Sequence, residues 1–266
     1  MQFSDKVVII TGAGSGIGAA AAAQFASEGA LLSLADISAD GLSAQARRLK
    51  LDESGLLQSV VDVSKEDQTE ALIASTLKHF GRIDVLVNNA GLGVLGRVTE
   101  LSTADWRKMF SIDVDGIFFL SRATIPHLIK TKGCIVNVAS VSGMFGDHGL
   151  AGYNAAKGAV VNLTRAMAVD HGGEGVRVNA VCPGSIATPA TAPLYADARV
   201  ADHYAEAIPM GRPGQPDEIA HVIAFLASSR ASYVNGHCLV ADGGMTASGG
   251  QPNLFRLLLQ PPASPS

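Results

Sequence analysis

Apolar residues in this chain come in short β-branched runs, separated by longer segments whose apolar positions recur at helical spacing. Val7-Val8-Ile9-Ile10 predicts a first strand, and Ala19 to Glu28 an Ala-rich helix closed by Gly29. Leu31 to Ala35 predicts a second strand and Ser59 to Val61 a third, followed by a helix over Lys65 to Phe80. Ile83 to Val87 predicts a fourth strand, and Trp106 to Leu128 a long helix ending near Pro126. Cys134 to Val138 predicts a fifth strand, with a helix from Tyr153 to His171 stopped by Gly172-Gly173. Val176 to Val181 and His237 to Val240 predict a sixth and a seventh. This alternation implies right-handed βαβ units. The predicted fold is α/β: a doubly wound, seven-stranded parallel sheet with helices on both faces.

No linker, repeat or charge block divides the chain, so residues 1–250 are expected to form one domain. The stretch 185–214, rich in Ala and Pro, predicts a loop-and-helix lid. Residues 251–266 form a tail that ends in Pro-Pro-Ala-Ser-Pro-Ser and reads as disordered there. Leu254 to Leu259 within it is apolar and awkward as exposed surface, which suggests packing on a neighbouring subunit.

Composition narrows the partners. The 266 residues suit one domain, and a formal net charge of −4 without a basic run argues against nucleic acid and anionic membranes. No apolar stretch reaches the roughly 18 residues that span a bilayer. The N-terminus lacks a basic leader pattern, so a cytoplasmic location is expected. Cys134, Cys182 and Cys238 sit singly in apolar runs and read as buried free thiols of a reducing compartment. His171 and His221 lack metal-ligand spacing, and no catalytic metal is expected.

Chemistry enters at Thr11-Gly12-Ala13-Gly14-Ser15-Gly16-Ile17-Gly18, between a predicted strand and a predicted helix. Without side chains there, backbone N–H groups and a positive helix terminus can approach a pyrophosphate. Gly12, Ser15, Gly16, Ile17 and Gly18 are therefore cofactor candidates; a glycine run by itself is often only a tight turn. Asp36, with Ile37 after it, closes the second strand about 20 residues on, where a carboxylate can bond ribose hydroxyls and repel a 2′-phosphate. No Arg or Lys lies in the loop or beside Asp36, so NAD is favoured over NADP. Read alone, Asp36 could simply end a strand, but its register after the glycine loop favours the ribose contact.

Tyr153-Asn154-Ala155-Ala156-Lys157 puts a phenol and an ammonium one helical turn apart on one face. A phenol titrates near about 10, and a cation within about 4–6 Å lowers that by about 1–3 units, towards a useful base. Tyr-x-x-x-Lys also arises by chance on surface helices. Ser140 adds weight, because it ends the fifth strand at the carboxyl edge where open α/β sheets bind ligands.

The spacing Gly12-x-x-x-Gly16-x-Gly18, Asp62-Val63, Asn88-Asn89-Ala90-Gly91, the Ser140 to Tyr153 interval, and Pro183-Gly184 with Ile186 and Thr188 occur in order along the chain. In these the sequence resembles the short-chain dehydrogenase/reductase (SDR) family, a Rossmann fold, from about Lys6 to Gly244. The resemblance implies an NAD(P)-dependent oxidoreductase of CH–OH groups. It implies an adenine contact at Asp62 and Val63, and a cofactor-side motif at Asn89, Ala90 and Gly91. Pro183, Gly184, Ile186 and Thr188 match the segment that binds the nicotinamide carboxamide. It implies that Ser140 positions the substrate oxygen, Tyr153 is the acid/base, and Lys157 tunes Tyr153 while holding the nicotinamide ribose. It also implies a homotetramer, joined through helices near 102–128 and 153–171 and through the seventh strand.

One position departs from the family. Where members usually carry an Asn that holds a water in the proton relay, this chain has Asp113, which accepts hydrogen bonds but cannot donate them when ionised. A working relay with altered pH dependence is expected. Ser142, Met144, Asp147, His148 and Tyr195 are substrate-contact candidates beside Ser140 and Tyr153, and each reads equally as loop packing. The expected substrate is a polyol, sugar or cyclic secondary alcohol. A 3-oxoacyl-(acyl-carrier-protein) reductase is the rival enzyme, and a non-catalytic NAD-binding regulator the rival class.

Overall fold

The computed structural model describes residues 1–249, 251 and 254–259. In chain order its elements are β1 (Val7–Thr11), α1 (Gly16–Ser27), β2 (Leu31–Asp36), α2 (Ala39–Leu49), β3 (Leu56–Val60), α3 (Glu66–Phe80) and β4 (Val85–Asn88). There follow α4 (Thr103–Phe110), a π-helical turn (Ser111–Asp115), α5 (Gly116–Thr131), β5 (Cys134–Val138) and α6 (Ala151–Gly172). The last are β6 (Arg177–Pro183), α7 (Ala192–Tyr195), α8 (Ala198–Ala207), α9 (Pro216–Ala227), β7 (Cys238–Ala241) and α10 (Leu254–Leu259).

All seven strands pair in parallel, in the order β3-β2-β1-β4-β5-β6-β7. The pleat sends alternate residues to opposite layers. Val8, Ile10, Val85 and Val87 pack with α1 and α9, through Phe25 and Ile223 among others. Ile9 and Leu86 pack with α3, α5 and α6, through Leu72, Leu120 and Met167. Strand order reverses between β1 and β4, which opens a crevice beyond their carboxyl ends. The doubly wound sheet and all seven strands stand where the hydrophobic pattern puts them.

Boundaries differ in ways that have physical causes. Helix α1 starts at Gly16 rather than Ala19, because the glycine loop passes directly into the helix. Pro126 does not end the long helix. It lies inside α5, where buried Leu120, Ile125 and Leu128 outweigh one missing backbone bond, and Lys132 in the left-handed region closes the helix instead. The long helix also begins at Thr103, where Ser102 accepts the N–H of Asp105, and is split by the π turn. Strand β3 runs three residues earlier than expected, and β4 starts two later, at Val85. The tail's Leu254–Leu259 is helical, while its last residues, 260–266, lie outside those described.

At the amino edge of the sheet, buried Asp84 ties β4 to β1. Its carboxylate accepts from Val7 N (3.0 Å), Lys6 Nζ (3.1 Å) and the Arg82 guanidinium (2.6 and 2.8 Å). Burial alone would raise this carboxyl, but Arg82, then Val7 and Lys6, hold it below the usual carboxylate value. A depressed carboxyl stabilises the fold above its unfolded value near 3.8, and that contribution is lost as pH falls through the depressed one. Asp84→Ala is expected to lower the unfolding free energy by about 2–3 kcal/mol at pH 7. Urea titration should show the deficit shrinking towards pH 3, with turnover per folded enzyme unchanged.

Candidate active site

The first turn of α1 is an open anion cradle. Ser15 at its start makes no side-chain cap, and no acidic residue lies in the first turn, so its leading N–H groups have no side-chain acceptor. Gly12 takes φ +64°, and a Cβ at Gly18 would stand 2.1 Å from the Gly12 carbonyl. Only glycine lets this loop fold so tightly. Asp36 ends β2 against the loop: one carboxylate oxygen accepts from Gly14 N at 2.8 Å, the other from Ser38 N at 2.9 Å. Ile37 beside it is exposed. These features fit a dinucleotide, with its pyrophosphate on the α1 terminus and a ribose at Asp36.

The end of β4 is fixed across the crevice. Asn89 Nδ2 donates to the carbonyls of Thr11 (2.9 Å) and Gly12 (3.1 Å), and Thr11 Oγ1 receives Asn89 N and Ala90 N. Val63 is buried, while Asp62 turns its carboxylate to Ser64. Pro183 and Gly184 lead from β6 into the 185–214 stretch, Ile186 is buried, and a Cβ at Gly16 would touch Thr188 at 3.4 Å. That stretch therefore begins directly over the glycine loop.

The catalytic candidates meet where β4, β5 and α6 converge. Lys157 lies one turn after Tyr153 on α6, with Nζ 5.6 Å from the Tyr153 ring centroid. It donates to the Val138 carbonyl at 3.2 Å and pairs with Asp113 Oδ2 at 3.2 Å. Asp113 is fully buried in the π turn, and its Oδ1 accepts from Leu92 N at 2.7 Å. Its Oδ2 has no hydrogen bond of good geometry among the described residues, so the contact with Lys157 is an ion pair rather than an aligned bond. Burial alone would lower the Lys157 ammonium; Asp113, with a smaller effect from Tyr153, outweighs it and raises it above the usual lysine value. Gly91 lines the same spot, since a Cβ there would lie 3.1 Å from Nζ.

Ser140 is nearly buried just past β5. Its Oγ accepts from Ser142 N at 3.1 Å and donates to Ser142 Oγ at 3.1 Å, and Ser142 Oγ donates to Asp147. Asn154, beside Tyr153, reaches back to the Asp147 carbonyl at 3.3 Å. Met144 and His148 are exposed in this loop. Tyr195, in the 185–214 stretch, shares a hydrogen bond between its hydroxyl and that of Ser185 and stacks obliquely on Tyr204. Ser140, Ser142 and Asp147 thus form one connected group, Tyr153, Lys157 and Asp113 another, and His148 and Tyr195 bond to neither.

Sequence reasoning passed over several residues that build this site. Buried Asn137 on β5 accepts from Asn88 Nδ2 at 2.9 Å and donates to Thr164 at 2.8 Å, locking β4, β5 and α6 together. A polar residue inside Ile135-Val136-Asn137-Val138 was the available signal. Asn154 and the Leu92 N–H left none.

Fold and site define a nicotinamide-dependent oxidoreductase of the Rossmann type. The profile of a family described as enoyl-(acyl carrier protein) reductase matches residues 12–246. The chain is 50% identical over 254 residues to meso-2,3-butanediol dehydrogenase of Serratia marcescens, covering 96% of this chain and all of that one. It is 39% identical to a 3-oxoacyl-(acyl-carrier-protein) reductase of Thermotoga maritima, over 92% and 99% of the two chains. The crystal structure of levodione reductase superposes with a TM-score of 0.88 at 40% identity, covering 92% of this chain and 99% of that one. The chain belongs to the short-chain dehydrogenase/reductase family and is an oxidoreductase acting on CH–OH groups and the corresponding carbonyls.

Asp113→Asn removes the anion that outweighs burial at Lys157, so the buried ammonium is pushed down and the cation beside Tyr153 is weakened. The acidic limb of the pH–rate profile for alcohol oxidation should then move to higher pH. Steady-state kcat/KM between pH 6 and 10 measures this, and a limb that stays in place would remove Asp113 from the relay.

Proposed function

We propose that this chain is a cytoplasmic, homotetrameric NAD-dependent dehydrogenase that oxidises a secondary alcohol, best a vicinal diol, another polyol or a cyclic alcohol. The observation that carries the reading is the Tyr153–Lys157–Asp113 group, with Ser140 tied to the same helix through Ser142, Asp147 and Asn154, and an anion cradle bordered by Asp36. A carboxylate at that position repels a 2′-phosphate, which supports NAD over NADP and weighs against a reductase of 3-oxoacyl carrier proteins working with NADPH. The relative that acts on meso-2,3-butanediol supports the diol.

When bound, the cofactor supplies the hydride acceptor or donor. Gly12, Ser15, Gly16, Ile17 and Gly18 would hold its pyrophosphate, Asp36 and Ile37 the adenosine ribose side, and Asp62 and Val63 the adenine. Asn89, Ala90, Gly91, Pro183, Gly184, Ile186 and Thr188 would line its nicotinamide half. Ser140 holds the substrate oxygen. Tyr153 takes the alcohol proton at its phenolic oxygen during oxidation and returns it during reduction. Lys157 favours the phenolate by its charge, and Asp113 keeps Lys157 charged. Met144 and Tyr195 would flank the substrate under the 185–214 lid.

Exposed Trp106, Phe118 and Val169 on α4, α5 and α6 support burial of those helices between subunits. Among the described residues no helix is long and apolar enough to cross a membrane.

Absorbance at the NADH band tests the reading, with 2,3-butanediol, cyclic alcohols and 3-oxoacyl thioesters offered to NAD(H) and NADP(H) in parallel. Turnover of the diol with NAD⁺ is expected. Tyr153→Phe should lower kcat by at least about 100-fold while NADH binding persists. Asp36→Ala should erode the preference for NAD over NADP by about tenfold, or about 1.4 kcal/mol. Turnover confined to NADPH and thioesters would select the carrier-protein reductase. Retained turnover in Tyr153→Phe would reject Tyr153 as the acid/base.

A further inference from the structure

We infer that Asp147 is a positioning residue which, acting through Ser142, turns the Ser140 proton away from the substrate and so makes the site bind an alcohol in preference to its ketone. This rests on the reading of Ser140 as the group beside the reacting oxygen.

A serine hydroxyl has one proton to give and two lone pairs, whereas a carboxylate only accepts. Ser142 Oγ gives its proton to Asp147 Oδ2, a charge-assisted bond and the strongest link of the chain. Ser142 Oγ is then left with acceptor capacity alone, and Ser140 fills it with its own proton at 3.1 Å. One Ser140 lone pair is taken by Ser142 N, also at 3.1 Å. What remains for a ligand is a single lone pair. The geometry is anchored at both ends: Ser140 is the extended residue that caps the 3₁₀ turn at Val141–Gly143, and the Asp147 carbonyl receives Asn154 from the helix that carries Tyr153.

An alcohol completes this chain. While Tyr153 carries its proton, the alcohol accepts a hydrogen bond from the phenol and donates its own proton to Ser140; for oxidation the phenol first gives up its proton, and the alcohol then turns its own towards Tyr153. A ketone has no proton to offer, so Ser140 must leave Ser142 and turn outward before it can bind the carbonyl oxygen. The ketone complex therefore loses one internal hydrogen bond that the alcohol complex keeps. Turnover has Ser140 make the same turn as negative charge grows on the substrate oxygen. Because the overall reaction equilibrium is fixed, kcat/KM in the two directions must move together, and the preference appears in the bound complexes.

The test measures dead-end inhibition constants on the full-length enzyme: 2-butanol against the enzyme–NADH complex, and 2-butanone against the enzyme–NAD⁺ complex. In Asp147→Ala and in Ser142→Ala the preference for the alcohol over the ketone should fall by about three- to tenfold, the worth of one hydrogen bond. The double variant should fall no further, since both residues act in one chain. Both constants weakening by the same factor would reduce Asp147 to a packing role and overturn the inference. Ser140→Ala serves as the control for the underlying reading. If it keeps wild-type turnover, that reading fails; if it loses turnover while the two other variants keep the wild-type ratio, only the Asp147 inference fails.

Discussion

A cation and an anion are sealed together beneath the carboxyl edge of the sheet, and the rest of the site is arranged around keeping them there. Lys157 and Asp113 are both essentially without solvent, and their closest approach is 3.2 Å. Stripping water from either charge costs several kcal/mol, and only a partner with further hydrogen bonds offsets it. The further bonds come from backbone: the Val138 carbonyl for Lys157 and the Leu92 N–H for Asp113. Three separate stretches, the end of β5, the segment after β4 and the π turn before α5, are thereby held at one point. Tyr153 rides on the same helix as Lys157, so the phenol is positioned by the pair before any ligand arrives.

The two sides of the crevice are built by different physics. On the proposed cofactor side, the groups on offer are backbone N–H donors and a helix terminus, with few side chains in the way. On the proposed substrate side, they are side-chain hydroxyls ordered by a carboxylate at the end of the chain. The glycine spacing is accordingly a strong sequence signal, while the direction of a hydroxyl chain leaves almost none.

Much of the architecture was legible because it depends on periodicity alone. Strands buried on both faces, such as Val7–Thr11, read as continuous apolar runs. Helix α2 was passed over although its inner face is amphipathic: Leu42, Ala46 and Leu49 recur at helical spacing and pack on the core, and buried Gln45, which bonds the Ala19 carbonyl at 2.7 Å, interrupts the stripe. The π turn was hidden as well, since Ser111-Ile112-Asp113-Val114-Asp115 differs in no compositional way from ordinary helix. Asp113 itself was visible as a departure from the family pattern, but its pairing with Lys157 needed the three-dimensional register. Pro126 misled because propensity describes an isolated helix, and this one is held by the sheet.

A double-mutant cycle on unfolding free energy, with Asp113→Asn and Lys157→Met, tests the central claim most directly. Asn keeps an acceptor for Leu92, so the cycle isolates the charge. If the buried pair holds the site together, each single variant strands a charge and loses about 3 kcal/mol, and the double variant loses less than their sum by at least about 1 kcal/mol. Losses that simply add would show that the two charges are stabilised independently and contradict the account.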